Sequence, residues 1–290
     1  MANANARHAA NAPGDFFVDT TCIDCDTCRW LAPETFHDIG DQSAVHTQPT
    51  SPADRLAALQ ALVSCPTASI GVTQAGSRAA LREVSPSFPL LVEDDVFYCG
   101  YHAESSFGAA SWFIQRADGN VMVDSPRFAA PLVKRIAEMG GIRWLYLTHR
   151  DDVADHAKWA GRFGAERVIH ADDGRGLDVE TRLTGSAPHE LAPGLAIYPV
   201  PGHTQGSTVL HYHDKFLFTG DHLAWSKRLD SLYAFRSACW YSWEQQIKSM
   251  ESLLPLRFEW VLPGHGWKFR AGAAEMTRQL QKCVDWMRRK

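Results

Sequence analysis

The sequence predicts an α/β protein in two parts: a small cysteine-anchored module, then a larger domain of sheets packed face to face with helices outside. Three observations predict it. Three cysteines stand two residues apart in "CIDCDTCRWLAP", and a fourth follows in "SCPTASIG". From about Leu90, short strand-like runs alternate with stretches of helical periodicity, joined partly by hairpins and partly by helices. Four of those runs end in loops that carry histidine or aspartate: "THRDDVADH", "PGHTQGS", "FTGDHL" and "LPGHG".

A chain of 290 residues is long enough for one large domain and one small one. It is 45% hydrophobic and 21% charged with a net charge of −4, so no global field attracts nucleic acid or an anionic membrane. No apolar run approaches the length of a membrane span. The opening "MANANARHAANAPGD" lacks the apolar centre of a signal peptide and reads, over residues 1–14, as a disordered leader. A cytoplasmic protein that acts on a small molecule, with no nucleic-acid or membrane partner, is the expectation.

Cys22, Cys25, Cys28 and Cys65 fall in the first quarter of the chain, whereas Cys99, Cys239 and Cys283 are isolated and read as neutral thiols. CxxC spacing in an intracellular chain points to metal rather than to disulfides. Three thiolates in one short loop turn toward a common centre, and the helical spacing of "RLAALQALVSC" places Cys65 at a helix end to complete the set. A zinc knuckle from the same four residues is the alternative, although zinc ribbons use two separated pairs. The run resembles that of bacterial-type ferredoxins, C-x2-C-x2-C-x3-C-P. Its last cysteine is here Ala32, with Pro33 retained, which implies a single 4Fe-4S cluster in a ferredoxin-like α+β module over residues 15–75.

Residues 76–89, within "TQAGSRAALREVSPSFP", lose periodicity and read as a linker to the larger domain, 90–290. There the strands "DVFYCG", "SWFIQ" and "NVMVDS" precede a helix from Ala129 to Met139, stopped by Gly140-Gly141. The strand "IRWLYLT", a helix in "DHAKWAGRFG", and the strands "RVIHA", "LAIYPV", "STVLHYH" and "KFLFTG" follow. A helix near Trp243–Leu254, the strand "EWVLPG" and an amphipathic helix from Ala273 complete the domain.

Any one of the four loops is a weak signal. All four in this order resemble the metallo-β-lactamase-fold superfamily, especially its glyoxalase-II-like hydrolases, over roughly residues 90–285. The resemblance implies an αβ/βα sandwich with two divalent metal ions, zinc, iron or manganese, at the edge where loops of both sheets meet. It implies that His149, a second motif histidine and His203 hold one metal, that Asp155, His156 and His265 hold the other, and that Asp221 bridges. Asp155 and Asp221 would be the catalytic carboxylates, and Asp124 a supporting aspartate that ligates nothing. The chain departs at the second histidine. Asp151 stands there, followed by Asp152 and two extra residues, so either carboxylate fills the position and makes the site harder.

A relic fold is the alternative, but so many buried imidazoles and carboxylates are costly without a cation. His222 reads as a neighbour of the ligands, and His211 and His213 as strand-surface residues. The segment "YAFRSACWYSW" lines a pocket or fills a core, and Arg236 is its one obvious anion-binding group. The resulting expectation is a metal-dependent hydrolase that uses a metal-bound hydroxide on a small ester, thioester or related substrate. The attached cluster keeps two further readings open: an iron-dependent oxidoreductase fed by a redox partner protein, and a cluster-based redox sensor.

Overall fold

The computed structural model describes residues 2–289. The strands of the larger domain form two sheets. The first has seven strands in the spatial order 181–183, 166–170, 144–146, 121–123, 112–114, 96–98 and 90–93. The second has six, in the order 189–192, 195–199, 208–212, 216–220, 260–263 and 269–270.

Alternation along the second sheet shows why its strands are apolar on both faces. Leu210, Tyr212, Phe216, Phe218 and Leu262 point into the core between the sheets. Their neighbours Val209, Leu217 and Val261 point the other way. There they meet Met250 of one helix, Leu253 just past its end, and Met276, Leu280 and Val284 of another. Because both faces are covered, "FLF" reads as a continuous apolar run rather than an alternating one. On the first sheet, helices Ala130–Glu138 and His156–Phe163 bury Leu132, Ile136 and Trp159.

The N-terminal module pairs strand Phe16–Val18 antiparallel with Ile70–Val72. Between them lie the helix Thr27–Leu31, the hairpin Phe36–Asp38/Ser43–Val45 and the helix Pro52–Ser64. Its apolar residues Phe16, Phe36, Leu59 and Ile70 belong to the same continuous core as Phe88, Tyr98 and Trp112. The module is therefore packed into the larger domain rather than tethered to it.

Two expectations are corrected here. The leader is ordered from residue 2 onward. Asn11 donates to the Val18 carbonyl and accepts from the Val18 and Val45 amides (2.7, 2.9 and 3.0 Å), and Ala12 N–H donates to Val45 O (2.7 Å). The leader is held by backbone and amide hydrogen bonds along open strand edges, contacts that leave no apolar pattern in the sequence. Nor are residues 76–89 an irregular linker. Ala75–Val84 is helical, Ser77 is buried against Asp15, and Phe88 is fully buried with edge-on contacts to Tyr98 and Tyr101. Phe88→Ala is expected to cost about 3–5 kcal/mol, read as a drop in unfolding midpoint. A loss under about 1 kcal/mol would mean that the segment is only loosely seated.

The ligand-bearing loops collect at one edge of the sandwich. Strands Phe216–Gly220 and Trp260–Pro263 are parallel neighbours with Gly220 opposite Pro263, so Asp221 and His265 leave adjacent strand ends together. Across the gap, Thr208 donates through both its amide and its hydroxyl to Thr148 O (2.9 and 3.0 Å), which locks the sheet edges in register. Among the described residues, no helix is long and apolar enough to cross a membrane.

Candidate metal centre

Asp221 is the hub. Its Oδ2 lies 3.9 Å from His149 Nε2, 3.8 Å from His203 Nε2 and 3.8 Å from His265 Nε2. Asp151 Oδ2 stands 3.3 Å from His203 Nε2 and 4.0 Å from His149 Nε2. Asp152 Oδ2 stands 4.0 Å from His149 Nε2 on the side nearest Asp221. Two ligand groups emerge, His149 with Asp151 and His203, and His149 with Asp152 and Asp221. One imidazole nitrogen serves one ion. His149, Asp151 and His203 can thus serve one cation, and Asp152 and His265, each beside Asp221, are the donors left over for another.

Several of these atoms are buried without any partner: His149 Nε2, Asp152 Oδ2 and Asp221 Oδ1. Burial, and then the Asp221 carboxylate, push Asp152 well above its ordinary value, while burial lowers His149 to about 4. His203 is instead raised, because hydrogen bonding to Asp151 and the charge of Asp221 outweigh its burial. Buried donors and acceptors held 3.8–4.0 Å apart, too far to hydrogen-bond, are costly as they stand. They match the separation of nitrogen and oxygen ligands sharing cations bound at about 2.0–2.2 Å. The residues fit divalent metal ions.

The surroundings fix this geometry. Asp124 accepts from the amide and hydroxyl of Thr148 (2.8 and 3.0 Å), and the Thr148 hydroxyl meets His149 Nδ1 at 2.9 Å, which orients the ring. Burial holds Asp124 up at about 8. Asp173, which sequence reasoning missed, accepts from Arg150 N–H (3.1 Å), Gly206 N–H (2.9 Å) and the Thr204 hydroxyl, and so ties the His149 loop to the His203 loop. Its one signal is that "ADDG" follows a strand end, as the other site loops do. Gly264 is required, since a Cβ there would sit 2.8 Å from Asp152 Oδ2 and 2.9 Å from Asp221 Oδ1. His222 is fully buried with neither ring nitrogen partnered and joins no ligand group.

The expected roles of Asp155 and His156 are corrected. Asp155 accepts from Phe128 N–H (2.8 Å) and pairs with Lys158 Nζ (2.7 Å). His156 opens the helix His156–Phe163, and its charged surroundings are Arg167, Glu180 and Asp178, away from the cluster of ligands. The two extra residues explain this. Val153 and Ala154 (φ +30°) carry the chain through an additional turn, so the aspartate-histidine pair arrives too late and Asp152 takes the inward place. Asp151 and Asp152 thus both face the site, where one carboxylate was expected.

The cysteine module has its own donor set. Cys22, Cys25, Cys28 and Cys65 are free thiols, and Cys28 is raised by burial and then by the charges of the other three. Burial likewise pushes Cys25 up to about 12. Ser43 N–H donates to Cys22 Sγ (3.5 Å) and Ser69 N–H to Cys65 Sγ (3.3 Å). Cys65→Ser is expected to bleach the brown absorbance as fully as Cys25→Ser. Retention of full iron and acid-labile sulfide would remove Cys65 from the set.

Both centres face one cavity of about 820 Å³. Asp151, Asp152, His203, Asp221 and His265 lie on one side, and Asp24, Cys25, Asp26 and Arg29 of the cysteine loop on the other. Tyr233, Phe235 and Trp240 line it, which settles the aromatic segment as pocket wall. Trp240 and Tyr241 N–H anchor that segment to the His203 carbonyl (2.8 and 3.1 Å). The cationic groups at the cavity are Arg29 and Arg150, whereas Arg236 packs over the Trp243 ring (5.5 Å). His211 is likewise buried rather than on the strand surface, its Nε2 2.8 Å from Arg257 O, and His213 lies in the following turn.

Residues 18–72 match the family described as the 4Fe-4S single cluster domain of Ferredoxin I. A hydroxyacylglutathione hydrolase of Anaeromyxobacter dehalogenans is 35% identical over 96 residues, 31% of this chain and 37% of that protein. The Bacillus subtilis protein YmaE is 27% identical over 124 residues, 41% of this chain and 45% of its own length. The chain thus spans less than half the length of either relative. Among solved structures, the DIM-1 metallo-β-lactamase superposes with a TM-score of 0.54 at 18% identity, over 68% of this chain and 95% of its own. At that identity the likeness speaks for the fold. The larger domain has the metallo-β-lactamase fold, and the module before it matches the single-cluster 4Fe-4S domain family of Ferredoxin I.

Proposed function

We propose that this chain is a metal-dependent hydrolase acting on a small ester, thioester or related acyl compound bound in the cavity between the two modules. The observation that carries this reading is the convergence of His149, Asp151, Asp152, His203, Asp221 and His265 on one point at the cavity floor. Divalent cations held there would polarise the scissile carbonyl and make water nucleophilic near neutral pH. The protein's own part is positional. Thr148 and Asp124 keep His149 Nε2 turned inward, Asp173 fixes the two histidine loops against each other, and Gly264 leaves room for two carboxylates side by side. The Tyr233 hydroxyl lines the cavity and stays protonated, raised by burial and then by Asp26 and Asp221, so it can donate to an oxygen that gains charge. Phe107 and Trp240, both more than half exposed, flank His265 and His203 at ring separations of 6.1 and 6.2 Å and offer apolar walls to a substrate.

The test is hydrolysis by protein loaded with zinc, iron(II) or manganese. The panel is a hydroxyacylglutathione thioester, an aryl ester and a chromogenic β-lactam. Turnover of at least one, abolished by chelation and by Asp221→Ala, is the expected result. No turnover with any metal would overturn the reading.

A second reading, an iron-dependent oxidoreductase, is favoured by one observation: the cluster ligand Cys25 lines the same cavity as His265 and Asp221. It predicts that a chemically reduced cluster is reoxidised by a small acceptor only when the second metal centre is loaded. Equal reoxidation with and without those metals would dismiss it.

A further inference from the structure

Asp26 sits between two cluster ligands, Cys25 and Cys28, yet its side chain lines the cavity of the other metal centre. Its backbone is left-handed (φ +58°), and it precedes the helix Thr27–Leu31 without donating a side-chain cap to it. An aspartate in that position ordinarily accepts from the helix amides. Here the carboxylate is left for something else.

Its charge is only partly compensated: burial raises the carboxyl to about 6, against the nearby charges of Arg29 and His265, and Arg29 is shared with two other carboxylates. The nearby guanidinium of Arg29 pairs with Asp24 (2.8 Å) and Asp38 (3.4 Å). Lys268 is taken up by the Trp30 ring, 4.6 Å away. Asp26 lines the same cavity as Asp221 and His265, and the Tyr233 hydroxyl of that lining feels both Asp26 and Asp221.

The loop is held in place from below by the larger domain. Gly108 (φ +83°) approaches so closely that a Cβ would meet Cys25 Cβ at 2.8 Å and Sγ at 3.1 Å. The Thr27 hydroxyl meets His102 Nδ1 at 3.0 Å, and that ring's Nε2 meets the Tyr98 hydroxyl at 2.6 Å.

We propose that Asp26 is a substrate-binding residue which the cluster loop supplies to the hydrolytic site, where its carboxylate receives a cationic amino group on the acyl part of the substrate. This rests on the hydrolase reading. It gives the ferredoxin module a use that needs no electron flow: the cluster pins a loop whose aspartate selects the substrate. A charged amine is the fitting partner because the wall of Asp24, Asp26 and Arg29 carries net negative charge. A charge-assisted hydrogen bond across a partly buried gap also discriminates more strongly than a neutral one.

The experiment compares two thioesters of N-acetylcysteamine that match in size and differ in charge, β-alanyl and butyryl, on protein with the cluster and both metals loaded. Wild type is expected to favour β-alanyl by about 10- to 100-fold in kcat/KM. Asp26→Ala should bring that ratio close to one, and Asp26→Asn should leave it between. The visible absorbance of the cluster should be unchanged in both variants, which separates loss of selection from loss of the cluster. Calorimetric binding of β-alanine and butyrate gives a readout without turnover, with the same Asp26-dependent preference expected. Hydrolysis of both thioesters with no preference, or a preference that survives Asp26→Ala with the cluster intact, overturns the proposal. If neither thioester is cleaved but the binding preference appears and depends on Asp26, the hydrolase reading fails while the assignment of Asp26 stands. If neither cleavage nor preferential binding occurs, both fail.

Discussion

Replacing Asp221 with alanine is expected to lower metal content in the larger domain below one equivalent and to reduce turnover at least about 1,000-fold, some 4 kcal/mol of barrier. The size of the effect follows from geometry. Asp221 Oδ2 is within 3.9 Å of the inward nitrogen of His149, His203 and His265, so both cations lose a ligand and a neutralising charge at once. Elemental analysis of the purified variant, paired with turnover of whichever panel substrate the wild type cleaves, reads both consequences. One equivalent retained in wild type and variant alike would reduce the centre to a single ion that does not involve Asp221. The cluster should be unaffected, because Asp221 is not among its candidate ligands Cys22, Cys25, Cys28 and Cys65.

The second large effect separates two aspartates three positions apart. Asp152→Ala is expected to empty one metal position and slow turnover at least about 100-fold. Asp155→Ala should keep both metals and cost only about 1–2 kcal/mol of stability, through the lost acceptor for Phe128 N–H and the lost pairing with Lys158. Metal-to-protein ratios for the two variants decide the matter. If Asp155→Ala strips a metal and Asp152→Ala does not, the extra turn at Val153-Ala154 fails to shift the ligands as described.

Much of this was legible from the residues. The covered strands announced themselves as apolar runs bounded by glycine and aspartate turns. His149, His203, Asp221 and His265 sit at strand ends, where the sequence placed them. What stayed hidden depends on groups distant in sequence. Whether Asp152 or Asp155 turns inward is decided by a backbone turn at Ala154 and by the missing Cβ of Gly264, which comes from a different sheet. The linker looked irregular because helix Ala75–Val84 buries only Ser77 and Val84 fully, leaving a weak apolar signature. The leader is held by Asn11 and backbone amides, which no hydrophobic pattern records. The cavity itself was beyond local reading, since it arises only when the cysteine loop is laid against the metal edge.

The most direct test of the account is anomalous diffraction from crystals of the metal-loaded protein, collected at the absorption edge of the metal supplied. The account predicts two ions sharing Asp221, one held by His149, Asp151 and His203 and the other by Asp152 and His265, across the cavity from the cluster. A single ion, or an ion held by Asp155 and His156, would contradict it.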